Sequence, residues 1–341
     1  MILTNSLIKD ALIQLSNLGI DPIIFVVDED EKLIGSITDG DIRRGLIRGI
    51  SIDKSINHVI SINPKFIRRG DSDIEKIIQY RDANFRVIPI LDDRDVVVNI
   101  MNFRHNHSYL PIDVVIMAGG LGERLRPLTN VLPKPLLKIG DKPIIEHNLD
   151  RLSWFGIKNF WISINYMGDK IIEYFGSGED KNIEISYLKE GIPLGTIGSV
   201  SLIENFEHDF VLVANSDLLT NLDYEQFFLE FLKEDADLAV VTIPYQVNIP
   251  YAIFELNDNH VVNLKEKPTY TYYSNGGIYL FKKKVLEYIP KNTFLNATDL
   301  IEILLKRNKK IYSYPFKGYW LDIGKPDDYS KAQEDIKQIN F

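Results

Sequence analysis

Residues Val114–Leu137 read VVIMAGGLGERLRPLTNVLPKPLL, and the fold follows from this stretch. An apolar run leads into Gly119, Gly120 and Gly122, the pattern of a buried strand that stops in a loop too rich in glycine for helix or sheet. Glycine permits positive φ and lets backbone amides approach a ligand with no Cβ in the way. Arg124, Arg126 and Lys134 place cations beside those amides. A loop of backbone donors flanked by cations suits a polyphosphate.

The chain has 341 residues, 45% of them hydrophobic and 26% charged, enough for two globular domains. Acidic residues (48) outnumber basic ones (39), for a net charge of -9. That balance disfavours nucleic acid and anionic membrane as partners. There is no cysteine, hence no disulfide and no thiolate metal site. No apolar run reaches the ~20 residues of a membrane span, and no signal peptide is evident. A cytoplasmic soluble protein is expected.

Residues 1–108 show an internal repeat, with copies at about 1–58 and 59–108. In the first, Leu7, Ile8, Ala11, Leu12, Leu15 and Leu18 recur at helical spacing and Gly19 supplies a stop. Predicted strands 23–27 and 33–37 and a helix over 41–48 follow. The second copy predicts a helix over 71–82 and strands over 85–91 and 96–100. Units this small leave an apolar face open, so the copies should pack on each other. GSITDGDIRRG (Gly35–Gly45) makes the stretch resemble a tandem pair of CBS (cystathionine-beta-synthase-type) domains. The resemblance implies an adenine nucleotide held by Thr38 and Asp41. A hydroxyl and a carboxylate three residues apart can equally cap a helix. The second copy departs, with Asn99, Asn102 and His105 where the first has Gly35, Thr38 and Asp41. A purely structural or dimerising role for the pair is the alternative.

Arg104–Leu110 reads as a linker; His105 and His107 have no third ligand nearby to make a metal site. From Ile112 onward, strand and helix patterns alternate. Strands are predicted over 114–117, 160–164, 183–188, 210–214, 238–243, 277–281 and 311–314. Helices are predicted over 144–155, 170–175, 197–203, 224–233, 297–306 and 327–339, with a hairpin over 253–264. This alternation predicts an α/β domain over 113–341 with a mostly parallel sheet and ligands at the carboxyl ends of its strands.

The glycine loop lacks the Gly-Lys-Ser/Thr ending of a P-loop and the acidic residue of a dinucleotide fingerprint. GGLGERLRPLTNVLPKPLL instead resembles the sugar-nucleotidyltransferase pattern GGxGxRLxPLTxxxPKPL. The resemblance implies a Rossmann-like nucleotidyltransferase domain with a mostly parallel mixed sheet. It also implies that a nucleoside triphosphate and a sugar 1-phosphate are joined with release of pyrophosphate, chemistry that needs placement and cations more than a protein nucleophile. Gly119, Gly120 and Gly122 would then wrap the triphosphate, Arg124 would neutralise its β/γ charge, and Lys134 would bridge the reacting phosphates. Lys134 sits between Pro133 and Pro135, whose fixed φ holds it in place. Asp217 in ANSD and Asp322 in WLDIGKPDDY match the family's metal-binding aspartates, an oxygen-rich pair suited to magnesium (Mg2+). Ser216 stands where the family usually has glycine.

EGIPLGTIG (Glu190–Gly198) resembles the segment that contacts the nucleobase and implicates Glu190, Gly195 and Thr196. An ionised carboxylate only accepts hydrogen bonds. Guanine offers two adjacent donors to it, whereas uracil and thymine offer one, so GTP is favoured. The other outcome is a Glu190 facing solvent while the backbone at Gly195 reads the base. For the sugar, the resemblance implicates Glu266 and Lys267 in KEKP and Asn275 in NGGIY. Tyr251-Ala252 replaces a frequent Tyr-Gly pair and leaves the sugar open. Tyr270, Tyr272 and Tyr273 fit hairpin packing better than a sugar platform.

CBS domains ahead of a guanylyltransferase-like domain resemble the glucosamine-1-phosphate guanylyltransferases of bacterial legionaminic acid biosynthesis. Mannose- or heptose-1-phosphate guanylyltransfer, or uridylyl- or thymidylyltransfer, is the near alternative. A nucleotide-sensing regulator with an inactive transferase domain is the alternative from another class. A homodimer or higher homo-oligomer is expected.

Overall fold

The computed structural model describes residues 1–69 and 74–339. The chain divides into two compact units, Met1–Pro111 with Trp154–Gly156, and Ile112–Ser153 with Ile157–Phe341.

In the first unit, helix Ile8–Asn17 buries Ile8, Ala11 and Leu15, and Gly19 takes a φ of +67° just beyond its end. Strands Ile23–Val27 and Leu33–Thr38 pair antiparallel within a four-stranded sheet. Helix Asp39–Ile47 then starts at Thr38. The second copy repeats the order with helix Ile74–Asp82 and strands Val87–Leu91 and Val97–Asn102. The predicted start of its helix, at Asp71, lies outside the described residues. The copies meet through Val27, Leu91 and Val97, with Leu33 and Phe66 against them, which covers apolar surface that each would otherwise leave open.

Thr38 and Asp41 form the cap of their helix. The Asp41 carboxylate accepts from the Thr38 amide at 2.8 Å and the Thr38 hydroxyl at 2.6 Å, while Arg44 holds its other oxygen at 2.6 Å. These groups satisfy the helix's otherwise orphaned amides.

The second unit is built on a seven-stranded sheet in the order Glu184–Lys189, Asn159–Ile164, Ile112–Met117, Phe210–Asn215, Thr269–Lys282, Leu238–Asn248, Ile311–Pro315. Strand Thr269–Lys282 is antiparallel to both its neighbours, and every other pairing is parallel. The α/β fold with a mixed, mostly parallel sheet is as expected. Val115, Val213, Tyr279 and Phe281 of the sheet pack with Leu300 and Leu304 of helix Ala297–Lys306. Helix Ile144–Trp154 buries Ile145, Leu149 and Leu152.

Four elements differ from the sequence pattern. The helix expected over 197–203 is a short 3-10 turn, Gly198–Leu202. Gly198, its first residue, lies so close to the backbone that a Cβ would sit 2.5 Å from the Thr293 carbonyl oxygen, so only glycine fits there. The last helix is Pro326–Asp335, shorter than 327–339. The strands expected over 238–243 and 277–281 run on as Leu238–Asn248 and Thr269–Lys282. Their added halves pair Tyr245 with Tyr272 and Val247 with Tyr270, residues suited to a pleated surface. No helix among the described residues is long and apolar enough to cross a membrane.

Candidate active site

Strand Ile112–Met117 is central and buried, and the chain leaves it at its carboxyl end through Ala118 into the glycine loop. Gly122 adopts a φ of +63°, and a Cβ there would lie 3.0 Å from both Lys134 Cβ and Thr129 Cγ2. The Thr129 hydroxyl donates to the Gly122 carbonyl at 2.9 Å. Gly122→Ala is therefore expected to cost about 1–2 kcal/mol from the left-handed backbone alone. A thermal melt should show a lower midpoint, and a melt no lower than wild type would contradict this reading.

The loop is one wall of a cavity of about 710 Å³. Gly119, Gly120, Gly122, Arg124, Lys134, Glu190, Gly195, Thr196 and Asp217 line it, so residues from distant segments converge on one space. A smaller cavity of about 290 Å³ shares Thr196 and Asn215 and adds Asn275, Trp320 and Asp322. Glu266 and Lys267 line neither cavity and are exposed on the connection between strands His260–Lys265 and Thr269–Lys282.

Backbone pairing brings the two aspartates together. Strands Leu218–Thr220 and Trp320–Asp322 are antiparallel, with Leu218 opposite Asp322, and the Ile323 amide donates to the Asp217 carbonyl at 3.0 Å. The Lys134 ammonium pairs with the second carboxylate oxygen of Asp217. The Arg124 guanidinium lies against Gly324, where a Cβ would come within 3.1 Å of it. Burial, then the Asp217 charge, push the Asp322 carboxyl above the usual carboxylate range, while Lys134 and Arg124 oppose the shift.

Oδ1 of Asp217 and Oδ1 of Asp322 are buried with no hydrogen-bond partner among the described residues. Buried acceptors without donors are costly. Two such carboxylates side by side fit a hard, oxygen-seeking divalent cation. No group of three or more His, Cys, Asp or Glu among the described residues forms a metal site.

Glu190 is neither free nor turned outward. The Ser163 hydroxyl donates to its Oε1 at 2.5 Å and the Leu194 amide to its Oε2 at 2.9 Å. Its carboxylate thus ties the loop 190–194 to the end of strand Asn159–Ile164 while lining the larger cavity. Gly195 has a φ of +79°, and a Cβ there would meet the Leu295 carbonyl oxygen at 2.5 Å. The Thr196 hydroxyl accepts from the Ala297 amide at 2.9 Å. The Asn275 amide donates to the Tyr279 hydroxyl at 2.7 Å and accepts from the Gly277 amide at 3.0 Å.

Two residues passed over in the sequence shape this site. Asn148, buried mid-helix, donates to the carbonyls of Ser216 at 3.4 Å and Leu218 at 2.9 Å and so holds the turn that carries Asp217. An asparagine between Ile145 and Leu149 on an apolar helix face was its signal. Asn165 follows strand Asn159–Ile164, donates to the Glu190 carbonyl at 3.2 Å and lines the larger cavity. Its signal was a polar side chain just past the carboxyl end of a parallel strand.

The model of the nucleotidyl transferase family matches residues 113–339. The chain is 32% identical over 230 residues to the bifunctional protein GlmU of Methanocaldococcus jannaschii, covering 65% of this chain and 54% of that protein. It is 31% identical over 229 residues to the D-glycero-alpha-D-manno-heptose 1-phosphate guanylyltransferase of Aneurinibacillus thermoaerophilus, covering 66% of this chain and 99% of that one. Among solved structures, one described as a putative glucose-1-phosphate thymidylyltransferase from Bacillus anthracis is similar with a TM-score of 0.55 and 27% identity. It covers 67% of this chain and 97% of its own. The chain spans about half to three fifths of the length of several curated relatives that it matches.

Proposed function

Because the chain belongs to the nucleotidyl transferase family, we propose that it joins a nucleoside triphosphate to a sugar 1-phosphate and releases pyrophosphate. The observation that carries this reading is the convergence of the glycine loop, Arg124, Lys134, Asp217 and Asp322 on adjoining cavities. A phosphate oxygen of the sugar 1-phosphate attacks the α-phosphorus, a new P–O bond forms, the bond to the β-phosphate oxygen breaks, and pyrophosphate carries away the electron pair. The amides of Gly119, Gly120 and Gly122 bind the triphosphate. Arg124 and Lys134 offset its charge and hold the reactants in line, which is where most of the rate arises in such chemistry. Asp217 and Asp322 would hold magnesium, which when bound neutralises phosphate charge as a Lewis acid.

GTP is the proposed donor, with Glu190 and the backbone around Gly195 at the base. The bonds from Ser163 and Leu194 occupy one lone pair on each Glu190 oxygen, and each oxygen can accept again. The name of the Aneurinibacillus relative supports guanine; that of the Bacillus structure points to thymine. Glucosamine 1-phosphate is the proposed acceptor, for a legionaminic acid-type product, with Asn275 in the smaller cavity. Mannose or heptose 1-phosphate is the alternative. The N-terminal unit enters the proposal as a tandem CBS pair, with Thr38 and Asp41 its regulatory nucleotide site. An equimolar mixture of the three sugar phosphates with GTP tests the acceptor: mass spectrometry should find GDP-glucosamine as the main product. A main product of GDP-mannose or GDP-heptose would overturn that choice and leave the reaction class standing.

A further inference from the structure

The segment ahead of helix Ala297–Lys306 is tied closely to the loop that follows Glu190. The Leu295 amide donates to the Leu194 carbonyl at 3.0 Å, and the Ile197 and Gly198 amides each donate to the Leu295 carbonyl at 3.2 Å. Two glycines permit this approach. A Cβ on Gly195 would lie 2.5 Å from the Leu295 carbonyl oxygen, and one on Gly198 would lie 2.5 Å from that of Thr293. Leu295 turns into the core with Leu300 and Leu304, whereas its neighbour Phe294 lines the larger cavity.

Of the described residues that line this cavity, Leu121 and Phe294 are the large apolar side chains left half open or more, at 50% and 57%. Leu121 belongs to the glycine loop, next to the groups proposed for the phosphates. Phe294 stands instead on the segment bonded to Leu194 and packed against Gly195. An aromatic ring left open on so closely tied a segment forgoes the burial that a ring of its size normally gains. A flat apolar ligand laid over it restores that burial.

We propose that Phe294 is the stacking platform for the base of the donor nucleotide and sets a preference for purines over pyrimidines. The inference rests on the placing of the base at Glu190 and Gly195, and it adds a second criterion to it. Glu190 accepts hydrogen bonds from donors on the edge of the base, which separates guanine from adenine. A ring face reads area instead: the fused rings of a purine cover more of a phenyl ring than the single ring of a pyrimidine does. The triphosphate is the same in every nucleotide and supplies no such preference. Stacking of a base on an aromatic side chain is worth roughly a five- to hundredfold in affinity.

Titration calorimetry of the full chain with GTP and with UTP, in magnesium and without sugar 1-phosphate, tests this. Phe294→Ala is expected to weaken GTP binding by about tenfold or more and UTP binding by less than about threefold, so that the preference between them narrows. Phe294→Tyr keeps the ring and should bind GTP within about twofold of wild type. Phe294→Trp adds a spectroscopic reading, since GTP stacked on the new indole should quench the emission it contributes over wild type. The side chain is more than half exposed, so all three variants should melt as wild type does. Equal losses for GTP and UTP in Phe294→Ala would mean that the side chain only shapes the loop, and would overturn the proposal. Unchanged GTP binding in that variant, or a wild-type protein that binds UTP as tightly as GTP, would overturn it too. Turnover plays no part in these readings, so failure of the platform and failure of the reaction are told apart.

Discussion

Asp217→Asn is expected to lower pyrophosphate release by about a thousandfold or more, with the thermal melt close to that of wild type. The two effects separate because Asp217 is not a core residue. Its fold-supporting contacts are backbone ones: its carbonyl accepts from Ile323, and Asn148 holds the carbonyls on either side. Asparagine preserves the shape and can still accept from Lys134, but the charge is gone. One of the two orphaned carboxylate oxygens is then no longer anionic, and Asp322 alone is a poor ligand set for a divalent cation. The loss should fall on kcat and persist at saturating GTP. A change of less than tenfold would mean that the two aspartates are turn residues and no more.

Lys134→Ala should cost about a hundred- to a thousandfold, since in the proposed reaction it removes a cation that offsets developing phosphate charge. Pro133 precedes Lys134 in extended backbone at φ -64°, Pro135 follows it, and the Asp217 carboxylate holds its ammonium. This pre-positioning is what alanine forfeits. Lys134→Arg retains the charge and loses the shape, because a planar fork does not replace a point charge. Its rate should lie between wild type and alanine. Equal rates for all three proteins would remove Lys134 from the mechanism.

How much of this was legible beforehand depends on the reach of each interaction. The glycine loop and the central strands were readable because apolar runs and glycines act locally. Gly122 fits its left-handed position for reasons that a short stretch already contains. Asp217 and Asp322 were identified only by resemblance. Their proximity comes from the pairing of Leu218 with Asp322, and no local pattern records contact between segments so far apart. The bonds to Glu190 were equally hidden, since Ser163 arrives from a neighbouring strand. Glu266 and Lys267 show the converse. Their motif was plain, yet the structure leaves them on an exposed connection outside both cavities. The tyrosine-rich ribbon was underestimated because alternating aromatic and polar residues read equally well as strand or as loop when nothing fixes their length.

The most direct test of the account is a pyrophosphate-release assay with each of the four ribonucleoside triphosphates and glucosamine 1-phosphate, run with magnesium and with a chelator. GTP should give rapid release that depends on both the sugar phosphate and the metal, with the other three nucleotides far slower. Release with UTP alone would overturn the guanine assignment, and no release from any nucleotide, either with glucosamine 1-phosphate or when mannose and heptose 1-phosphate are put in its place in the same assay, would contradict the reaction itself.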